Sequence, residues 1–128
     1  MDIVTRKQLN ILIQLAEADK HFARAEREVI LRIARERNVT EPEVQDLIKN
    51  PEPIGSLGAL SPEQKFDYLM SAMELVMADH NVFESELMFC KCIDIKLGFK
   101  KNVIDYLLDN YTKTDRITLK QILLEQYV

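Results

Sequence analysis

The fold is decided by a stretch that occurs twice: Ala-Asp-Lys-His-Phe-Ala-Arg-Ala-Glu at residues 18–26 and Ala-Asp-His-Asn-Val-Phe-Glu-Ser-Glu at residues 78–86. Each copy begins with Ala-Asp, has a hydrophobic residue three positions after the Asp, and ends on a Glu seven positions after it. A shift of 60 residues also aligns six pairs of identical residues: Leu15 and Leu75, Ala18 and Ala78, Asp19 and Asp79, Glu26 and Glu86, Ile33 and Ile93, and Leu47 and Leu107. Two copies of one supersecondary unit predict a single domain with a pseudo-twofold internal repeat.

Apolar residues recur at helical spacing along the chain, and no segment shows the two-residue alternation that is typical of a strand. The pattern predicts an all-α fold, a single-domain bundle of about seven helices. The expected helices cover about 3–19, 25 onwards, 41–49, 61 onwards, the region of 89–97, the region of 103–108, and 118–127. The single domain over 1–128 then consists of repeat one at about 9–49, a connector at 50–60, repeat two at about 67–108 and a C-terminal helix at about 118–127.

Local signals mark where several of these helices begin or end. Thr40–Glu43 and Ser61–Gln64 have the spacing of a capping box, in which the first and fourth residues exchange hydrogen bonds at a helix N-terminus. Gly98 is placed to end a helix in the left-handed conformation, which glycine adopts without strain. The connector at 50–60 contains two Pro and two Gly. We expect its apolar residues to pack against the core: Ile54, Leu57 and Leu60.

Composition and charge narrow the classes of function. The 128 residues are 47% hydrophobic and carry a net charge of −4, as an ordinary globular domain does. Residues 41–94 contain eleven acidic residues against three Lys and no Arg, which disfavours nucleic acid as a partner and suits cations or basic partners. No apolar run approaches the roughly 20 residues of a membrane span, and no signal-peptide pattern is present. We therefore expect a cytoplasmic protein that binds a protein partner, without nucleic acid and without direct membrane insertion.

The duplicated acidic residues are the candidate site. Glu26 and Glu86 fall in the first turn of a helix, where a negative charge is favourable by roughly 0.3–1 kcal/mol. Asp19 and Asp79 fall where a helix ends, and there an anion is disfavoured. Two interpretations remain open: each Asp accepts backbone N–H groups of its own loop, or the carboxylates hold a divalent cation. The loops are not EF-hands, because the sixth position that should be Gly is Glu84 in the second copy.

The duplicated Ala-Asp, hydrophobic, Glu signature resembles that of the TerB-like family, over about residues 9–108. This family includes tellurite-resistance proteins and a domain of certain membrane-anchored DnaJ-type co-chaperones. The resemblance implies a bundle of about seven helices and acidic residues that are proposed to bind metal. This chain departs from the family pattern after each Asp, where Gly is common and where Lys20 and His80 stand instead. Carried over, the implied metal ligands are Asp19, Glu26, Asp79 and Glu86.

Most of the sulfur-containing residues are interpreted as residues that pack in the core. Cys90 aligns with Ile30 and is predicted to be a core residue, whereas Cys92 aligns with Arg32 and is expected to be exposed. Two residues apart on a helix, these thiols cannot form a disulfide with each other. A group of methionines either forms an adaptable partner groove or packs in the core, and the apolar stripe of the fourth helix favours the core: Met70, Met73, Met77 and Met88.

The sequence contains no Walker loop, no Gly-rich dinucleotide turn and no Gly-x-Ser-x-Gly elbow. We therefore expect a non-enzymatic, small intracellular binding module that engages a protein partner. The resemblance leaves open a stress-related role and a divalent cation, the one cofactor considered, at the acidic loops between helices. The alternative is a metal-dependent hydrolase that would use the same four carboxylates: Asp19, Glu26, Asp79 and Glu86.

Overall fold

The structure, a computed structural model, describes residues 2–18, 24–78, 82 and 84–128. These residues form seven α-helices and no β-strand, which confirms the predicted all-α class. The helices are α1 (Ile3–Glu17), α2 (Arg24–Glu36), α3 (Glu41–Lys49), α4 (Pro62–Val76), α5 (Glu84–Leu97), α6 (Val103–Asn110) and α7 (Arg116–Gln126).

Helix starts follow the predicted caps. At α4, the Gln64 N–H donates to Ser61 Oγ at 3.1 Å, and the Ser61 N–H donates to Gln64 Oε1 at 2.9 Å. At α3, the Thr40 N–H donates to the Glu43 carboxylate at 3.3 Å. Each reciprocal bond satisfies a backbone donor that a helix N-terminus leaves unpaired, so these short sequence patterns locate both helices.

Two helix boundaries differ from the prediction. Helix α7 begins at Arg116 rather than near Thr118, because the Asp115 carboxylate accepts the Thr118 N–H at 2.6 Å and caps the helix. Helix α1 ends at Glu17, two residues before the expected end at Asp19. Asp19 itself lies outside the described residues.

The centre of the bundle is the pair α1 and α4, which pack against each other. Helix α1 also contacts α2, α3 and α5, and α4 also contacts α2, α5 and α7. Helix α3 packs against α2, and α6 packs against α5. The largest fully buried side chains of the central pair include Leu9, Leu12, Ile13, Leu15, Phe66, Leu69, Met73 and Leu75. Both central helices therefore have apolar contacts on most of their sides, and the other helices cover them.

The helices keep the spacing that the sequence repeat predicts. Helix α2 begins at Arg24 and α5 at Glu84, and the chain turns left-handed after each, at Asn38 with φ of 59° and at Gly98 with φ of 88°. Identical residues of the two copies are buried alike: Leu15 and Leu75, Ile33 and Ile93, Leu47 and Leu107. These observations agree with a duplicated unit. The symmetry itself stays a prediction, and superposing 9–49 on 67–108 tests it.

The connector between the copies is held by side chains of α1. The Asn10 side chain donates to the Glu52 carbonyl at 2.8 Å and accepts the Glu52 N–H at 3.1 Å. Gln14 donates to the same carbonyl at 2.7 Å. Leu57 is buried, and Ile54 and Leu60 pack partly against the core, as expected. The connector is therefore a packed part of the domain.

Gly98 provides a test of the C-terminal cap of α5. We expect Gly98→Ala to lower the free energy of unfolding by about 1 kcal/mol, because an L-residue is disfavoured in the left-handed region. Steric crowding should not lower the free energy of unfolding further, since a Cβ at this position meets no atom within 4 Å. Gly55→Ala is the control, because its Cβ also has open space and its φ is not positive. Urea denaturation measures both variants, and equal midpoints would contradict this account of the cap.

Candidate functional site

The acidic signature lies at the junctions between α1 and α2 and between α4 and α5. Of its four candidate residues, Asp19 and Asp79 lie outside the described residues. The other two are described and lie in the first turns of α2 and α5, as predicted. Both are almost completely buried, with 2% of Glu26 and 1% of Glu86 exposed. Equivalent positions of the two copies therefore hold buried carboxyl groups.

This burial exceeds what a favourable charge at a helix N-terminus requires. An exposed Glu in the first turn interacts with the helix dipole equally well, whereas moving a carboxylate out of water is strongly unfavourable unless other groups compensate. Both Glu26 and Glu86 have polar or electrostatic interactions within the chain. Both glutamate side chains are therefore enclosed by the protein at the two junctions between helices.

Helix α5 contains two further buried groups next to Glu86. Cys90 is buried, and its burial, followed by the nearby Glu86 and Asp94, raises the pKa of its thiol to about 12. Burial raises the pKa of Asp94 to about 7, and its Oδ1 makes no hydrogen bond. The sequence interpretation missed Asp94, although a charged residue on the apolar face of Cys90 and Ile93 was a usable signal. The first copy has Ala34 at this position, also buried.

The predicted difference between the two cysteines is confirmed, since Cys90 is buried and Cys92 is exposed. The core interpretation of the methionines holds for Met70 and Met73, which are buried. Met88 is 62% exposed, so the expectation of core packing is wrong for this residue. It lies on the face of α5 that points away from the bundle.

The donor chemistry at the junctions suits a hard cation. Carboxylate oxygens are the ligands that Mg²⁺ and Ca²⁺ prefer, and Glu26 and Glu86 contribute such oxygens. Within the ranges that the structure describes, no three His, Cys, Asp or Glu side chains are grouped so that they could hold a metal ion. The two other candidate ligands, Asp19 and Asp79, lie outside these ranges.

A groove of about 800 Å³ runs between α2, the end of α4 and the turn after α6. Its apolar lining is supplied by Ala25, Val29, Leu31, Met77, Ala78 and Tyr111. Ala25 comes just after the first junction, and Ala78 comes just before the second. The groove lining therefore includes residues that are neighbours in sequence of both acidic junctions.

The charged residues of the groove are paired, with one exception. Arg32 donates to Glu36 at 2.8 Å and to Glu74, which lies across the groove on α4. Glu28 accepts from Arg24 at 3.3 Å. The exposed Arg35 guanidinium makes no hydrogen bond or ion pair within the described part of the chain. The groove therefore combines an apolar lining with one uncompensated positive charge.

A second, smaller pocket of about 170 Å³ is polar and is built around Asp67 of α4. Asp67 accepts from Arg37 at 2.6 Å, from Arg116 at 3.0 Å and from Gln8 at 3.1 Å. Arg37 follows α2, Arg116 begins α7 and Gln8 belongs to α1, so Asp67 ties three elements to α4. This ion-paired cluster joins parts of the bundle that are far apart in sequence, and sequence patterns did not reveal it.

Compared with protein-family models, with curated proteins and with solved structures, the chain shows no significant match. In the described ranges, no helix has both the length and the apolar character that crossing a membrane requires.

Asp94 makes stability depend on pH. Its raised pKa means that the folded state holds this proton more tightly than the unfolded chain does. The contribution of Asp94 to stability therefore falls as pH rises from its ordinary value of 3.8 to about 7, and it is constant above that.

We expect Asp94→Ala, which introduces the residue of the first copy, to remove this dependence. The free energy of unfolding of the variant, relative to that of wild type, should rise between pH 3.8 and about pH 7 by at most about 4 kcal/mol. Urea denaturation at a series of pH values measures the difference, and Asp109→Ala, at an exposed position, is the control. A difference that stays flat between pH 4 and pH 7 would show that Asp94 is ionised in the fold.

Proposed function

We propose that this chain is a non-enzymatic binding module that engages a segment of a protein partner in the groove beside α2. The supporting observation is the combination of an apolar lining with the unpaired Arg35 in a groove of about 800 Å³. Ligand sites are typically concave, mostly apolar, and equipped with few polar groups that fix orientation. The surrounding helices are tied by ion pairs, so the groove is a preformed surface.

Charge complementarity identifies the class of segment. Arg32 already has two carboxylate partners, and Glu28 is paired with Arg24, so these groups are compensated. Among the charged residues that line the groove, Arg35 is the one that makes no ion pair within the described part of the chain. A segment with apolar side chains for the groove and an acidic side chain for Arg35 fits best. Opposite charges at such a rim speed association and fix the register of the bound segment.

A divalent cation at the acidic junctions is the second candidate, and the matched burial of Glu26 and Glu86 favours it. The ligands would come from the four duplicated carboxylates, Asp19, Glu26, Asp79 and Glu86. A bound cation would neutralise the charge at the two junctions. Membership of the TerB-like family belongs to the same proposal, and a bundle of seven helices is compatible with it. We also propose a cytoplasmic location, since an exposed free thiol such as Cys92 persists in a reducing compartment.

Binding to designed peptides tests the groove. Fluorescence anisotropy would compare a short amphipathic peptide with Leu and Glu residues against the same peptide with Lys in place of Glu. We expect the acidic peptide to bind more tightly, and Arg35→Glu to weaken it about tenfold and reverse the preference. Lys49→Glu, at an exposed position on α3 away from the groove, should leave binding unchanged. Equal binding of the acidic peptide to wild type and Arg35→Glu would refute the proposed site.

Thermal unfolding with added Mg²⁺ or Ca²⁺ tests the cation separately. A ligand of the native state stabilises it by mass action, by about 2.7 kcal/mol at a concentration 100 times its Kd. We expect the midpoint of wild type to rise with one of these cations, and Asp79→Asn and Glu86→Gln to lose that rise. Asp109→Asn, which changes an exposed carboxylate on α6, should keep it. A wild-type midpoint that ignores both cations would exclude the cation and leave the groove proposal intact.

A further inference from the structure

Helix α5 has an apolar stripe on the side that faces solvent. Met88, Cys92 and Ile95 are spaced four and three residues apart, so they lie on one face of the helix. Met88 is 62% exposed, Ile95 is 71% exposed, and Cys92 between them is also exposed. Apolar residues at alternating spacings of four and three form the seam by which two helices pack side by side in a coiled coil. The α5 stripe therefore has the pattern of half of such a seam.

The equivalent face of α2 has the opposite character. Glu28, Arg32 and Arg35 occupy the three corresponding positions of the first copy. Charged residues are the ordinary choice for the exposed face of a helix. The α5 stripe is therefore a specific feature of the second copy.

A lysine lies on each flank of the α5 stripe. At 100° per residue, Lys91 lies about 60° to one side of Met88 and Lys96 lies about 80° to the other side. Both lysines are exposed, and neither forms an ion pair within the described ranges. In coiled coils, charged side chains at these two flanking positions determine which helix is accepted as a partner.

Acidic side chains are scarce along this face. Residues 87–101 contain four lysines and a single acidic residue, Asp94, which is buried. The one exposed acidic residue of α5 is Glu84, at the first position of the helix and nearly two turns before Lys91. The exposed charge beside the stripe is therefore positive from Lys91 to the end of the helix.

We propose that the α5 stripe binds one helix of a partner protein, and that this helix has an apolar stripe of its own with acidic side chains on both flanks. The apolar side chains of the two helices would pack side by side, and the acidic flanks would lie beside Lys91 and Lys96. A second copy of α5 does not fit, because it would bring lysines beside lysines.

The width of the stripe favours a helix as the occupant over an anionic membrane surface, which would also attract lysines. Ile95 and Cys92, at its two edges, are about 60° apart around the helix axis. A seam between two helices is narrow in this way, whereas a helix that lies in a membrane surface presents a broad apolar face. The stripe therefore has the dimensions of a contact with a single helix.

The contact is expected to be weak. At 1.5 Å per residue the stripe extends over about 10 Å, so the interface falls below the roughly 1,200–2,000 Å² that stable interfaces bury. The Kd should therefore lie between about 10 μM and 1 mM. The α2 groove and this stripe lie on different helices, so this contact is independent of the binding proposed above.

The thiol of Cys92 reports directly whether the stripe is occupied. A maleimide should alkylate the exposed Cys92 of the full chain and not the buried Cys90, and a helix that lies on the stripe should slow this reaction. The probe is a helical peptide of about 21 residues with Leu at the seam positions and Glu at both flanks of each heptad. We expect about 1 mM of this peptide to slow alkylation at least about twofold, and the same peptide with Lys in place of Glu to have no effect.

The same measurement separates this site from the α2 groove. Arg35→Glu, which is expected to weaken binding in the groove, should leave the protection of Cys92 unchanged. Protection that disappears in Arg35→Glu would place the peptide in the groove and overturn the proposal for α5.

Reversal of the flanking charges tests the choice of partner. In the double variant Lys91→Glu with Lys96→Glu, we expect the Lys peptide to protect Cys92 and the Glu peptide to fail. A loss of folding would not produce this exchange, because it would abolish protection by both peptides. Lys49→Glu, on α3, is the matched control and should keep the preference of wild type.

Removal of the apolar side chains tests the seam. Met88→Ser with Ile95→Ser should weaken binding of the Glu peptide at least about tenfold, whereas Ile117→Ser, at a position on α7 that is 83% exposed, should bind it like wild type. Equal protection by the Glu and Lys peptides, or none by either at about 1 mM, would overturn the proposal. So would protection of Cys92 by phosphatidylserine vesicles without protection by the Glu peptide, which would assign the stripe to a membrane surface.

Discussion

The structure depends on the burial of α1 and α4 against each other. These two helices contact most of the others, so few of their positions reach solvent. An ordinary surface helix places its polar residues on the outside, but α1 has Gln8 and Asn10 in buried positions. A buried polar group without a partner is destabilising by roughly 1–3 kcal/mol. The central position of α1 therefore requires that other parts of the chain supply those partners.

The partners of these buried groups shape the rest of the fold. Asn10 bonds to both backbone groups of Glu52, so the connector takes a fixed path across α1. Gln8 donates to Asp67 and Ser71 of α4 and orients the Asp67 carboxylate. Asp67 then binds two arginines that come from outside the central pair. Polar side chains of α1 thus bond to the connector through Asn10 and to α4 through Gln8 Nε2, while Gln8 Oε1 makes no hydrogen bond.

The parts of the fold that could be predicted from the sequence are those encoded within one or two helical turns. Apolar spacing located the helices, and the Ser61–Gln64 box and Gly98 located their ends, because each signal involves neighbours in the chain. The alignment with Ile30 and Arg32 also predicted which cysteine is buried. The partners of Asn10 and Gln8 could not be predicted, since they lie 42 to 63 residues away in the sequence.

The candidate site was predictable in part for the same reason. Repetition singled out Glu26 and Glu86, and both are buried where the signature places them. Their burial was not predictable, because a first-turn Glu is usually exposed and only packing against other helices encloses it. Asp94 was missed because its position is occupied by Ala34 in the first copy, so a search for shared residues passes over it.

Helices α2 and α5, which the sequence alignment places at equivalent positions, differ in their outer faces. Some positions that face the core are apolar in both helices, as Ile30 and Cys90 show, whereas the buried Ala34 of α2 corresponds to the buried Asp94 of α5. At positions that face solvent, Arg35 corresponds to Ile95. The two helices share a buried Glu and a buried Ile, at Glu26 and Glu86 and at Ile33 and Ile93, while their outer faces differ in polarity. A surface suited to an acidic segment is unsuited to an apolar one, so the two outer faces are chemically different surfaces.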